Sequence, residues 1–225
     1  MTKKEIANLF YDGFNSKLIE AAAFEGEYEI PVLKRCTELI IPKCGVPFSK
    51  MDYTYERDLL VFYEHDPEFR DLVSIPQKYI KKIKTFKCAS TPDCSLYRDM
   101  PFSFQIANVA VARSIGLYMQ NEGVLVYPNV RWGDERSYES KQGEKPLAFA
   151  GIPTHTIVTI GTYGCSKTAE DRYYLQAGLD AMLITIEPLA VIVYGSMSHK
   201  IFEPYIKATD FYHIPDWTSY KKGGK

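Results

Sequence analysis

Five short apolar runs set the limits on what this chain can become: residues 59–63, 86–90, 124–127, 157–160 and 189–194. Each is too short for a stable helix, and most carry apolar residues at successive rather than alternate positions. A strand apolar at every position is covered on both faces, which is the situation of strands in a parallel sheet. Between the runs lie stretches of helical character. Residues 64–84 are one, broken near Pro76. Residues 101–121 are another, apolar almost all the way round and therefore buried on most sides. Gly123 suits the position just past its C-terminus. A helix from Thr168 to about Ile186 and a shorter one near 198–207 complete the alternation.

Strand centres recur every 30–40 residues or so, about the length of one strand–helix unit. With 211–214 as a last strand, and 32–33 and 39–41 as short candidates near the start, the pattern predicts an α/β fold of six or seven mostly parallel strands alternating with helices. A small or incomplete TIM-like (β/α) barrel is the expected architecture, with an open doubly wound sheet as the alternative. A full barrel usually takes about 250 residues, against 225 here. No internal repeat or low-complexity linker divides the chain, so one domain over 1–225 is expected. Residues 2–24 read as an appended amphipathic helix, with Thr2 and Glu5 at capping-box spacing.

Composition excludes several classes. Twenty-seven basic and 28 acidic residues leave a net charge of -1, without the basic excess of a nucleic-acid binder. No apolar run approaches the roughly 20 residues that span a bilayer, so no membrane partner is expected. The 5 cysteines are odd in number and form no Cys-x-x-Cys, which points away from a disulfide framework and toward a reducing, cytoplasmic setting.

Both candidate architectures place ligands at the carboxyl ends of the parallel strands, and those ends are unusually polar here. Glu64, His65 and Asp66 follow the first run; Asp93, Ser95, Tyr97, Arg98 and Asp99 the second; Asn129, Arg131, Trp132 and Asp134 the third; Thr162, Tyr163 and Cys165 the fourth; Tyr194, Ser196 and His199 close the fifth. Carboxylates from different strand ends can divide general-acid and general-base roles when their surroundings split their pKa values, and three or more can hold a hard divalent cation. Asp93, Asp99 and Asp134 are thus the candidate catalytic residues. Arg131 is a candidate anion clamp and Trp132 a stacking wall, with Tyr97, Asn129 and Tyr194 as further substrate contacts. The competing explanation for each is ordinary: loops are polar, and Asp, Ser and Thr cap helices. The metal and any cofactor stay unspecified.

Residues 161–168, Gly-Thr-Tyr-Gly-Cys-Ser-Lys-Thr, approach a phosphate-binding loop, but Ser166 stands where the glycine before Lys-Thr belongs. A turn followed by a helix cap at Thr168, with Asp171 three residues on, is the default reading. Cys88, Cys94 and Cys165 sit at neighbouring strand ends and are either inert thiols or a soft-metal set.

The run Thr-Pro-Asp-Cys-Ser-Leu-Tyr-Arg-Asp-Met-Pro at 91–101 is distinctive. Together with Gln105, Gly116 to Gln120, Pro128, Trp132-Gly133-Asp134 and Gly151-Ile152-Pro153, it resembles an uncharacterised family, domain-of-unknown-function family 4417, met in phages, plasmids and integrative elements. The likeness runs from about Tyr55 to Tyr194. It implies an α/β protein of mobile elements, and it leaves Asp93, Tyr97, Asp99, Trp132 and Asp134 as positions matching the family pattern. Cys94 and Gly133 depart from that pattern, and 140–146 reads as a polar insertion. Two functions follow as expectations. One is a hydrolase or transferase acting on a small polar ligand in a carboxylate-lined pocket. The other is a non-catalytic interaction protein that binds a host or defence factor.

Overall fold

The computed structural model describes residues 15–140 and 143–223. Most of the helix expected over 2–24 therefore lies outside the described residues. Its described end is a single 3₁₀ turn, Ser16–Ile19, after which the chain enters a two-stranded antiparallel ribbon, β1 (Phe24–Glu25) with β2 (Ile30–Pro31).

Seven parallel strands follow in two sheets. The first has β3 (Gly45–Pro47), β4 (Leu59–Val61), β5 (Cys88–Ser90) and β6 (Val126–Tyr127), neighbouring in that order. The second has β7 (Ile157–Gly161), β8 (Ala190–Tyr194) and β9 (Asp210–Ile214), again in sequence order. A parallel bridge between Asn129 and Thr159 links the two sheets just beyond β6. It is made by Val130 N–H to Thr159 O at 2.8 Å and Thr159 N–H to Pro128 O at 2.9 Å. Neither sheet reverses its strand order. Among the described residues no ladder joins β3 to β9.

The helices over 64–84, 101–121, 168–186 and 198–207 fall where the sequence pattern puts them; two short ones, at Glu135–Tyr138 and Trp217–Lys221, were not expected. After β4 come a 3₁₀ turn at Asp66–Phe69, α1 (Arg70–Ser74) and, restarted by Pro76, α2 (Pro76–Ile83). The long α3 (Phe102–Asn121) connects β5 to β6, and Gly123 beyond its end has φ +85°, the left-handed conformation that glycine adopts without strain. A one-turn α4 (Glu135–Tyr138) follows β6. Helix α5 (Ala169–Ile186) joins β7 to β8, and its Thr168–Asp171 capping box is formed in both directions. Short α6 (His199–Phe202) precedes β9, and α7 (Trp217–Lys221) follows it.

Burial explains why the strands are apolar at every position. Val46, Leu60, Phe62, Ala89 and Val126 face outward onto α1, α2 and α3. Val158, Ile160, Val191 and Val193 face outward onto α5 and α6. Among the described residues no helix lies on the opposite face. Instead Leu59, Val61, Cys88 and Tyr127 of one sheet pack against Ile157, Ala190, Ile192 and Ile214 of the other. Two readings of the early chain are corrected. Residues 32–33 and 39–41 are not strands; Leu39 and Ile41 are exposed. The first parallel strand is Gly45–Pro47, where Pro47, which cannot donate to a ladder, is tolerated because among the described residues β3 has a strand partner on one side only.

Candidate functional site

Five consecutive strand ends open into one cleft with two lobes. One lobe, about 440 Å³, is bounded by residues that follow β3, β4 and β5, among them Lys50, Tyr63, Glu64, Glu68 and Asp93. The other, about 320 Å³, is bounded by Arg98, Trp132, Cys165, Asp171 and Tyr174. Tyr97, Arg131, Gly161 and Tyr163 line both and mark the junction.

A hydrogen-bonded chain runs across the floor. The Tyr63 hydroxyl donates to Asn129 Oδ1 at 2.9 Å, and Asn129 Nδ2 donates to Asp93 Oδ1 at 2.6 Å. Arg131 Nη1 approaches Asp93 Oδ2 at 3.3 Å. Burial raises the Asp93 carboxyl above the usual carboxylate range, against the pull of the Arg131 charge and the Asn129 bond. The Asp93 charge in turn raises the Arg131 guanidinium and holds it cationic. Burial also lifts the Tyr63 phenol well above its ordinary value. Its ring stacks on Tyr194 at 4.9 Å and occupies the space a side chain at Gly161 would need: a Cβ there would lie 2.3 Å from it.

The loop that carries Asp93 is anchored on several sides. Asp66 accepts from the Ser95 N–H at 3.1 Å and its hydroxyl at 2.6 Å. Asn108 and Gln105 of α3 donate to the carbonyls of Ser95 and Tyr97. Behind Asn129 lies Arg113, a fully buried guanidinium on α3. It donates to the carbonyls of Ala150 at 3.0 Å, Ala148 at 3.0 Å and Asn129 at 3.2 Å. Burial pushes its pKa down to about 10, which still leaves it charged at neutral pH.

The sequence pattern described as "Domain of unknown function (DUF4417)" matches residues 22–212. The chain belongs to the DUF4417 family. Among curated proteins it is similar to the Gene 1 protein of Mycobacterium phage D29, 28% identical over 174 residues, covering 76% of this chain and 62% of that protein. It is also similar to the Gene 1 protein of Mycobacterium phage L5, 29% identical over 176 residues, covering 76% of this chain and 73% of that one. The chain thus spans less than two thirds of the D29 relative's length. No solved structure matches it. The DUF4417 match begins well before Tyr55 and so takes in β1, β2 and β3.

Of the five residues singled out on the sequence resemblance, Asp93, Tyr97 and Trp132 line the cleft. Trp132 also serves the fold, since its indole N–H donates to Tyr174 O at 2.9 Å and its ring fills the space over Gly178. Asn129 and Arg131 join Asp93 directly, and Tyr194 supports Tyr63 from below. Asp99 and Asp134 do not line the cleft. Asp99 is exposed and does not cap α3, whose first turn has no side-chain cap. Asp134 caps α4 and grips Arg136 at 2.8–3.1 Å, and Arg136 donates onward to the Arg98 and Met100 carbonyls. Asp134 thereby ties the loop after β6 to the loop after β5.

Among the described residues no three His, Cys, Asp or Glu side chains gather closely enough to hold a metal ion. The carboxylate set for a divalent cation is therefore not assembled, and neither is the cysteine set. Four thiols are buried, and burial raises the fifth, Cys165, despite Arg131. Sequence reasoning overlooked Ser49, Lys50 and Tyr63. The first two sit in an irregular stretch without periodicity, and Tyr63 reads as the end of an apolar run. Arg113 was hidden among apolar neighbours on α3. The signal it carried was a lone cation in the middle of a helix apolar all round.

Proposed function

We propose that the chain is a single α/β domain built as an incomplete (β/α) barrel. Its cleft would bind a small polar ligand carrying an anionic group and act on it as a hydrolase or transferase in the host cytoplasm. Three observations support the architecture: among the described residues, helices on one face only, strands in unbroken sequence order within each sheet, and inner faces that pack on one another. Five free cysteines suit a reducing compartment. Among the described residues no helix is long and apolar enough to cross a membrane.

One observation carries the functional half. At the junction of the two lobes, Arg131 is partly exposed while its partner Asp93 is buried, with a raised carboxyl pKa. A guanidinium facing a cleft presents a planar fork to a phosphate or carboxylate. A carboxyl that keeps its proton beyond the usual range can give that proton to a leaving group and later take one from an attacking hydroxyl. On this reading Asp93 does the acid–base work, Tyr63 and Asn129 orient it, and Asp134 holds Arg136.

Anionic metabolites should raise the melting temperature of the wild-type protein, and Arg131→Ala should abolish that rise while the protein stays folded. Asp93→Asn should retain binding and lose turnover. Equal stabilisation of wild type and Arg131→Ala by every anion would refute the reading.

A second reading, a protein that docks on a host or defence factor, is favoured by Tyr53 and Tyr55, 84% and 100% exposed on the loop between β3 and β4. Exposed aromatics of this kind anchor interfaces. If it holds, Tyr53→Ala with Tyr55→Ala should lose a partner that Arg131→Ala retains in co-purification from infected cells.

A further inference from the structure

Along the cleft the chemistry changes in a fixed order. The smaller lobe is walled by aromatic surface from Trp132, Tyr174 and Tyr163. Its one cation besides Arg131 is Arg98, already held by Asp171 at 2.7 Å and laid over the Tyr174 ring at 4.9 Å. Arg131 stands at the junction. The larger lobe has the carboxylates Glu64 and Glu68, with Lys50, His65 and the hydroxyls of Ser49 and Ser95 beside them. Aromatic wall, cation and hydroxyl-accepting carboxylates therefore follow one another from end to end.

We propose that the cleft accommodates a nucleoside diphosphate joined to a sugar. The base lies in the aromatic lobe, the diphosphate spans Arg131, and the sugar hydroxyls donate to the carboxylates of the larger lobe. This rests on the anion-binding reading of the same cleft and names its ligand class. Nucleobases stack on aromatic side chains whatever their sequence identity. A guanidinium pairs with phosphate oxygens through two parallel bonds. Ionised carboxylates only accept hydrogen bonds, so they suit hydroxyl groups and repel a phosphate. A free anion would use Arg131 or Lys50 and leave the aromatic lobe unfilled. A sugar phosphate would leave the aromatic lobe unfilled, and a mononucleotide the acidic one. At about 320 and 440 Å³, each lobe is near the lower end of the range for a whole ligand site, about 300–1,000 Å³. Each therefore suits one ring-bearing half of a larger molecule.

The test is calorimetric titration of the full chain with ADP-ribose and UDP-glucose, against AMP, UMP, ribose 5-phosphate, inorganic phosphate and citrate. At least one sugar-bearing diphosphate should bind about tenfold or more tighter than its mononucleotide. Arg131→Ala should weaken every phosphate probe. Glu68→Gln, an exposed and conservative change, should remove the advantage of the sugar-bearing probe and leave AMP and UMP affinity unchanged. If citrate or inorganic phosphate binds through Arg131 but no nucleotide binds better, the ligand class is wrong while the anion site stands. If no anion binds, both fall. If Glu68→Gln weakens mononucleotides and diphosphate sugars alike, the assignment of the larger lobe to the sugar is overturned.

Discussion

A buried charge is informative because the fold must supply something to hold it there. Among the described residues Arg113 has no carboxylate in contact, and it is satisfied by three backbone carbonyls, two of them in the 148–150 turn and one at Asn129. It thus ties the floor of the cleft to the segment preceding β7. Arg113→Met would remove the desolvated charge but leave three carbonyls unpaired. Since a hydrogen bond to a charged group is worth about 1.5–3 kcal/mol, urea unfolding should show a loss of about 2 kcal/mol or more. Asp93 yields a prediction with a sign. Its folded-state pKa is raised, so its contribution to stability is fully present below the unfolded carboxylate pKa and is lost as pH rises through the folded value. Wild type should therefore lose stability relative to Asp93→Asn as pH rises above the ordinary carboxylate range, measured by denaturant midpoints across that rise. Asp93, Asn129, Arg131, Tyr97 and Trp132 could be picked from sequence because strand ends in parallel sheets are where polar residues gather. Asp99 and Asp134 could not be separated from them. A carboxylate that caps or braces and one that faces a cleft look the same until the loop geometry is known.

At the scale of elements, the apolar runs specified β4 to β9 to within a residue or two, and the cap at Thr168 was readable three residues ahead from Asp171. Strand β3 was not, because Gly45 and Pro47 carry no periodicity; a chance of pairing, not a pattern, makes it a strand. Packing demands glycine where propensity would not. Gly178 lies inside α5, and a Cβ there would meet the Trp132 ring at 2.1 Å. Alanine is favoured over glycine in a helix interior by about 1 kcal/mol, yet Gly178→Ala should destabilise by about 1–3 kcal/mol through overpacking. In a Trp132→Ala background the same change should become neutral or stabilising, a reversal readable by thermal unfolding of the four variants. Helix α7 depends on its N-cap, Asp216. Asp216 accepts from the Thr218 and Ser219 N–H groups at 3.0 and 3.1 Å and from the Ser219 hydroxyl at 2.6 Å. Burial alone would raise its carboxyl, but the Ser219 and Thr218 bonds outweigh that and lower it. Its contribution, about 1 kcal/mol for such a cap, is present above the unfolded carboxylate pKa and lost as pH falls through the folded value. Asp216→Ala should therefore cost most near neutrality and least in acid.

At the scale of the molecule, the strand order leaves a seam between its first and last strands, and α7 covers part of it. The Trp217 N–H donates to the Tyr194 hydroxyl at 2.9 Å, Trp217 and Tyr220 pack beside β3, and Lys221 pairs with Glu56 at 3.4 Å. Beneath them Cys44 is 1% exposed, its thiol raised by burial. Removing residues 216–225 should make Cys44 reactive toward a thiol reagent under native conditions while Cys94, on the far side of β4, stays protected. The alternation of parallel strands with helices was legible because each strand–helix unit is local in sequence; the division into two sheets was not. Whether the halves close could not be read, because that depends on twist accumulated over seven strands and on inner-face packing between residues more than a hundred positions apart. The same sequential order also acts as a timetable. Within each sheet every strand pairs with its neighbours in sequence, β3 to β6 in one and β7 to β9 in the other, so each new unit of a sheet finds its template already made, and the loop-closure entropy that slows non-local sheets is kept small. The covering helix lies beyond the last strand in the chain. During synthesis the cleft's walls would thus be laid down in order from β3 to β7, and the seam sealed only after translation had passed them all.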